Sequence, residues 1–168
     1  MKTLTSRLLC AAWLATACSA AVAQESATFA MRSLTPQAAL RAAQATLQAC
    51  TAKGFQVAVS VLDRTGTPLV MLRERLAGMH TPETAGGKAY TAIAFKLDTL
   101  TLSRATQADQ GLSGLRHLPR VVAVGGGRII EAGGTLVGAI GVSGAPGGEA
   151  DDACARAGIA AIQSDLDF

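Results

Sequence analysis

The chain has 168 residues, with 15 Lys plus Arg against 12 Asp plus Glu, a formal charge of +3, and apolar residues at 49%. That length suits one domain with a core of its own, needing no metal or disulfide merely to hold it together. So small a charge excess gives no long-range electrostatic reason to bind nucleic acid.

Residues 1–23 read as an export signal. Lys2 and Arg7 form a positive start, Leu8 to Val22 is uncharged and rich in alanine, and Ala21-Val22-Ala23 before Gln24 is a small-x-small cleavage pattern. Cys18 after Ala15-Thr16-Ala17 offers a weaker lipoprotein alternative. Cleavage at residue 23 removes Lys2 and Arg7 and leaves 13 basic and 12 acidic side chains. No later apolar stretch is long enough and free enough of charge to span a bilayer, so the expected product is periplasmic or secreted, without membrane insertion. Of four cysteines, Cys50 and Cys154 remain. In an oxidising space they either pair, closing a loop across most of the domain, or stay as two buried thiols.

Residues 24–34 read as a flexible lead-in to a single domain over 35–168. Thr35-Pro36 supplies a hydroxyl cap followed by proline at the first helical position. Leu40, Ala43, Leu47 and Cys50 then recur at helical spacing up to a stop at Gly54. Phe55 to Leu62 and Thr67 to Arg73 form a hairpin around Asp63-Arg64-Thr65-Gly66. Thr81-Pro82 repeats the cap and opens a second helix with a small-residue face of Ala85, Ala89, Ala92 and Ile93. Its Gly86-Gly87 pair costs roughly 1 kcal/mol per glycine relative to alanine, a hint that something packs closely on the backbone there. A short helix is expected within Asp98–Ala108. Three strands follow, Val121–Val124, Arg128–Glu131 and Leu136–Val142, turning at Gly125-Gly126-Gly127 and Gly133-Gly134. Glu149–Asp165 reads as the last helix. The order is α-β-β-α-β-β-β-α, an α+β domain whose antiparallel five-stranded sheet carries flanking helices.

Most chemical constellations fail on spacing. The glycine runs form neither a dinucleotide fingerprint nor a phosphate loop. Only His80 and His117 are histidines, and neither belongs to a zinc pattern. Ser113 and Ser143 lack a nucleophile elbow. Asp151-Asp152 suits the negative end-charge of a helix N-terminus. What remains is Met79-His80-Thr81-Pro82, where an imidazole just outside a helix start can reach haem iron, beside amides able to meet an anion. Arg75 and Lys88 are charge partners for the propionates, and Tyr90, Met79 and Met71 are contacts or alternative axial ligands. The competing readings are a surface histidine and an ordinary core Met71; His117 is a weaker candidate.

Several stretches stand together in a recognisable order. They are Val59–Gly66 (VSVLDRTG), Lys88-Ala89-Tyr90-Thr91-Ala92 with Phe95, Gly125-Gly126-Gly127, Gly138–Gly144 (GAIGVSG) and Asp151–Ala155 (DDACA). Over residues 36–165 the chain resembles the GlcG/HbpS-like family, whose members are described as haem-degrading and are related to the C-terminal domain of PduO-type adenosyltransferases. The resemblance implies a profilin-like fold, self-association into a homo-oligomer, and haem or corrinoid binding in some members. Two departures stand out. Arg128-Ile129-Ile130 replaces the usual proline after the glycine turn, and Leu76-Ala77-Gly78-Met79-His80 replaces a common Asp-Gly-Ala run where a ligand would enter.

The leading expectation is therefore an exported haem-binding protein, a carrier, buffer or sensor component, with His80 on the iron and Met79, Arg75, Lys88 and Tyr90 around the cofactor. The alternatives are a non-catalytic scaffold for a small organic ligand or corrinoid, and an enzyme that degrades haem or transforms a small organic acid. No proton-transfer pair is visible for the last.

Overall fold

The structure, a computed structural model, describes residues 26–167. The export signal expected over 1–23 lies outside them. The chain divides into units 1–30 and 31–168. Of the first, only residues 26–30 are described, and they hold no helix or strand.

In the second unit, α1 (Pro36–Thr51) starts where the sequence places it, with the Thr35 hydroxyl accepting from Ala38 N–H at 3.3 Å. Gly54, at φ +79°, ends the turn that follows the helix. The buried stripe is more alanine-rich than expected. Ala38, Ala39, Ala42, Ala43, Thr46 and Cys50 face inward, whereas Leu40 is exposed. The reason is close helix approach: a Cβ on Gly158 would fall 2.6 Å from Ala42 O. Small residues on both helices let them meet nearly backbone to backbone.

Strands β1 (Ala58–Asp63) and β2 (Pro68–Arg73) form the expected hairpin, pairing Val59 with Leu72 and Val61 with Val70. One Asp63 carboxylate oxygen accepts from Thr65 N–H, Thr67 N–H and the Thr65 hydroxyl, fixing the turn. After α2 (Thr81–Phe95) come α3 (Thr99–Ala105) and a 3₁₀ turn at Ser113–His117. Strands β3 (Gly127–Ala132) and β4 (Thr135–Ser143) follow, then α4 (Gly148–Ala160) and α5 (Gln163–Leu166).

The sheet corrects the expected architecture. Among the described residues there are four strands, ordered β2-β1-β4-β3 and all antiparallel, and five α-helices. Val121–Val124 is not a strand. Val122 N–H donates to the Thr91 hydroxyl of α2 at 2.8 Å, and a Cβ on Gly87 would lie 2.6 Å from the Val122 side chain. The segment is thus laid across α2, which accounts for Gly87. Nor is there room for another strand beside β3. Its outward amides at Gly127 and Ile129 already donate to Thr99 Oγ1 and Asp98 Oδ1, at 2.8 and 3.0 Å. Covering an edge in this way also blocks unwanted pairing. The last expected helix breaks as well. Ile162, fully buried, turns the chain between α4 and α5 so that Leu166 also reaches the core.

Three layers result. Val57, Val59 and Val61 pack with α1 and α4 on one face, and Leu62 and Ala139 pack with Ala89, Ala92 and Ile93 of α2 on the other. Cys50 and Cys154, both fully buried, are bonded with a Cα separation of 5.5 Å, tying α1 to α4.

Helix α2 rests directly on β4. A Cβ on Gly141 would strike Ala85 O and come within 2.6 Å of Ala89 N. Gly141→Ala is therefore expected to lose about 1–3 kcal/mol by overpacking, read as a lower urea midpoint. An unchanged midpoint would contradict this packing.

Candidate functional site

The N-terminal ends of α2 and α4 flank the end of β4, and a cleft of about 350 Å³ opens there. Its walls include His80 just before α2, Thr81 and Thr84 of α2, Val124, Ser143 at the end of β4, and Gly144, Ala145, Gly147 and Gly148 leading into α4. Lys88 and Asp151 also line it.

Lys88 shares a helical face with Ala85, Ala89 and Ala92 and is only 2% exposed. A buried ammonium requires a partner. Its Nζ donates to Asp151 Oδ2 at 2.7 Å and to Val142 O at 2.9 Å. The other Asp151 oxygen accepts from Ala145 N–H at 2.9 Å, which pins the glycine-rich loop. Burial pushes the Asp151 carboxyl above the usual carboxylate range, while the Lys88 charge and the bonds from Lys88 and Ala145 pull it back. Gly126, at φ +114°, passes so close that a Cβ would lie 2.6 Å from the Asp151 Cβ and 3.1 Å from Lys88 Nζ. The triple glycine is therefore a close approach to this pair as well as the entry to β3.

At the mouth, His80 is the residue preceding α2 and makes no side-chain cap bond. Its imidazole is exposed and has no hydrogen-bond partner among the described residues. Of the residues singled out from the sequence, His80 and Lys88 meet in this cleft. Met79 is 92% exposed beside His80, and Arg75 is exposed on the preceding loop; neither lines the cleft. Tyr90 also lies outside, its ring under the Arg120 guanidinium at 4.0 Å. Met71 is 44% exposed on β2, and His117 is exposed in the 3₁₀ turn.

Sequence reasoning missed Asp151 as the lysine's partner and Ser143 as a lining residue. A usable signal was present: a lysine in phase with three buried alanines demands a carboxylate, and Asp151-Asp152 is the prominent acidic pair. Asp152 takes a different role, held by Arg128 at 3.1 Å and Arg156 at 3.0 Å, with Arg128 also bridging to Asp98 at 2.9 Å. The larger groove beside this network, about 700 Å³, is lined by Arg128, Asp98 and Arg156 together with Glu131 and Asp167.

No group of three His, Cys, Asp or Glu side chains is placed to hold a bare metal ion among the described residues. A single imidazole nevertheless meets the need of an iron already held in a macrocycle. No helix among the described residues is long and apolar enough to cross a membrane.

Residues 34–160 match the family described as haem degrading protein HbpS-like. The corrinoid adenosyltransferase PduO of Salmonella typhimurium is 41% identical over 108 residues, 63% of this chain, and the chain spans only 32% of that protein's length. A double mutant of HbpS from Streptomyces reticuli superposes with a TM-score of 0.74 at 38% identity, covering 84% of this chain and 96% of that one. The PduOC–haem complex superposes with a TM-score of 0.73 at 35% identity, covering 77% and 95%.

Proposed function

The chain belongs to the HbpS-like family of haem-degrading proteins, and from that membership we propose that it binds haem, with His80 as the iron donor at the mouth of the α2–α4 cleft. The observation carrying this reading is the exposed, unpartnered imidazole of His80 between two helix N-termini. Met79 and Val124, both exposed, supply apolar surface beside it, and Arg75 supplies a cation for a propionate. A cleft of about 350 Å³ lies at the small end of ligand pockets. The cleft would accordingly not enclose a macrocycle, and His80, Met79, Val124 and Arg75 about its mouth are the residues that would hold one. Bound haem supplies a redox-active iron whose behaviour follows its axial donor and its exposure to water. This chain's residues supply the donor, the apolar platform and the fixed scaffold beneath it.

The leader-like residues 1–23 and the Cys50–Cys154 bond support work in an exported, oxidising compartment. There the protein acts as a haem carrier, buffer or sensor component. The same family membership supports the coarser statement that it associates with haem or a comparable small ligand.

Haemin titration of the purified protein is expected to give a saturable Soret change, and His80→Ala is expected to shift or abolish that band. Haemin uptake with an unaltered spectrum in His80→Ala would remove the axial assignment. No saturable change in the parent protein would remove the haem reading.

A further inference from the structure

Beneath His80 the cleft presents unused donors. The Lys88 ammonium carries three N–H groups and has two partners among the described residues, Asp151 and Val142 O. Ser143 is 5% exposed as a residue and lines the same cleft, and its hydroxyl, which has no hydrogen-bond partner among the described residues, keeps access to the cleft. The first turn of α4, thirteen residues long, opens at Gly147-Gly148 without a side-chain cap. Its first amides are left without helical acceptors, and the helix dipole adds partial positive charge there. Each Asp151 oxygen already accepts one bond, one from Lys88 and the other from Ala145 N–H. A buried lysine with an unused N–H, a serine hydroxyl open to the cleft and an uncapped helix start thus converge on one small volume.

We propose that the floor of this cleft, at Ser143, Lys88 and the α4 N-terminus, binds a short-chain monocarboxylate. The proposal goes beyond haem binding and does not depend on it. One carboxylate oxygen takes the remaining Lys88 N–H and the Ser143 hydroxyl, and the other takes the α4 amides. Such charge-assisted bonds are the strong ones, and a cleft of about 350 Å³ accommodates a carboxylate of a few carbons.

The test is a ¹H–¹⁵N titration of the protein with sodium acetate, with acetamide and sodium chloride as neutral and ionic controls. Saturable shifts centred on Ser143 and Gly148, given by acetate and by neither control, are expected. Ser143→Ala should weaken acetate about ten-fold or more, since hydrogen bonds to a charged group are worth that much. Lys88→Met removes the cation but risks the fold, so Val124→Trp, at an exposed rim position, is the independent variant. It fills the mouth, leaves the ion pair in place, and should abolish the shifts. Absent or unsaturable shifts, the same shifts from acetamide or chloride, or undiminished binding in both Ser143→Ala and Val124→Trp would overturn the proposal. Soret titration in parallel reads haem separately, so either reading can fail alone.

Discussion

Loss of the Cys50–Cys154 bond is expected to remove about 2–5 kcal/mol of stability. The bond spans 104 residues of sequence. For a loop of that size the chain-entropy treatment assigns about 4.7 kcal/mol, because cross-linking its ends restricts the unfolded chain. Domains of this kind retain only about 5–15 kcal/mol in total. Replacing both cysteines by alanine also leaves space where two fully buried sulfurs met. Urea unfolding should show the midpoint falling for Cys50→Ala/Cys154→Ala, and for the parent protein in reductant. Equal midpoints with and without reductant would show that the cross-link contributes nothing. A local consequence also follows. Cys154 lies one turn beyond Asp151 on α4, so the cross-link anchors the helix that supplies the lysine's partner. Amide exchange around Gly148–Asp151 is expected to quicken before the sheet loosens.

Lys88→Met is expected to cost about 3–5 kcal/mol, because removing one member of a buried ion pair leaves the other charge without compensation. The stranded Asp151 carboxylate keeps Ala145 N–H but loses its cation. Lys88→Met/Asp151→Leu should recover most of that loss, since an apolar pair avoids desolvating two charges. The pH dependence has a definite sign. Burial already raises the Asp151 carboxyl in the folded protein, and losing Lys88 raises it further. A raised folded value means that stability is fully present below the unfolded value of 3.8 and is lost as pH rises through the folded value. The deficit of Lys88→Met should therefore be smallest in acid and grow towards neutrality. A deficit independent of pH, or a double variant no better than the single, would contradict the buried-pair description.

Local signals carried the regular elements well. Thr35-Pro36 and Thr81-Pro82 mark real helix starts, and the alternation of Val57, Val59 and Val61 marks a strand face. Asp63 to Gly66 marks the hairpin turn. Each rests on chemistry acting within a few residues. Val121–Val124 shows where that reasoning stops. Its β-branched run has the composition of a strand, yet strand formation needs a free edge, and Asp98 and Thr99 hold the amides of β3. Ile162 shows the same limit: helical periodicity runs through it, but its burial redirects the chain between α4 and α5.

The site divides along the same line. Sequence by itself determined a helix start behind His80, although the expected Thr81 cap is absent and that hydroxyl donates to Gly78 O, a lysine in phase with buried alanines, two cysteines free to pair in an oxidising space, and a glycine-rich approach to the last helix. It could not decide which carboxylate neutralises Lys88, that Ser143 shares its cleft, or that Tyr90 lies outside it. Those facts join positions 54 to 63 residues apart, and no local preference encodes such a pairing. Only the packing of α2 across β4 and of α4 beside it decided them. Burying the ammonium made a nearby carboxylate obligatory, and the close approach at Gly126 and Gly141 left room for the one that met it.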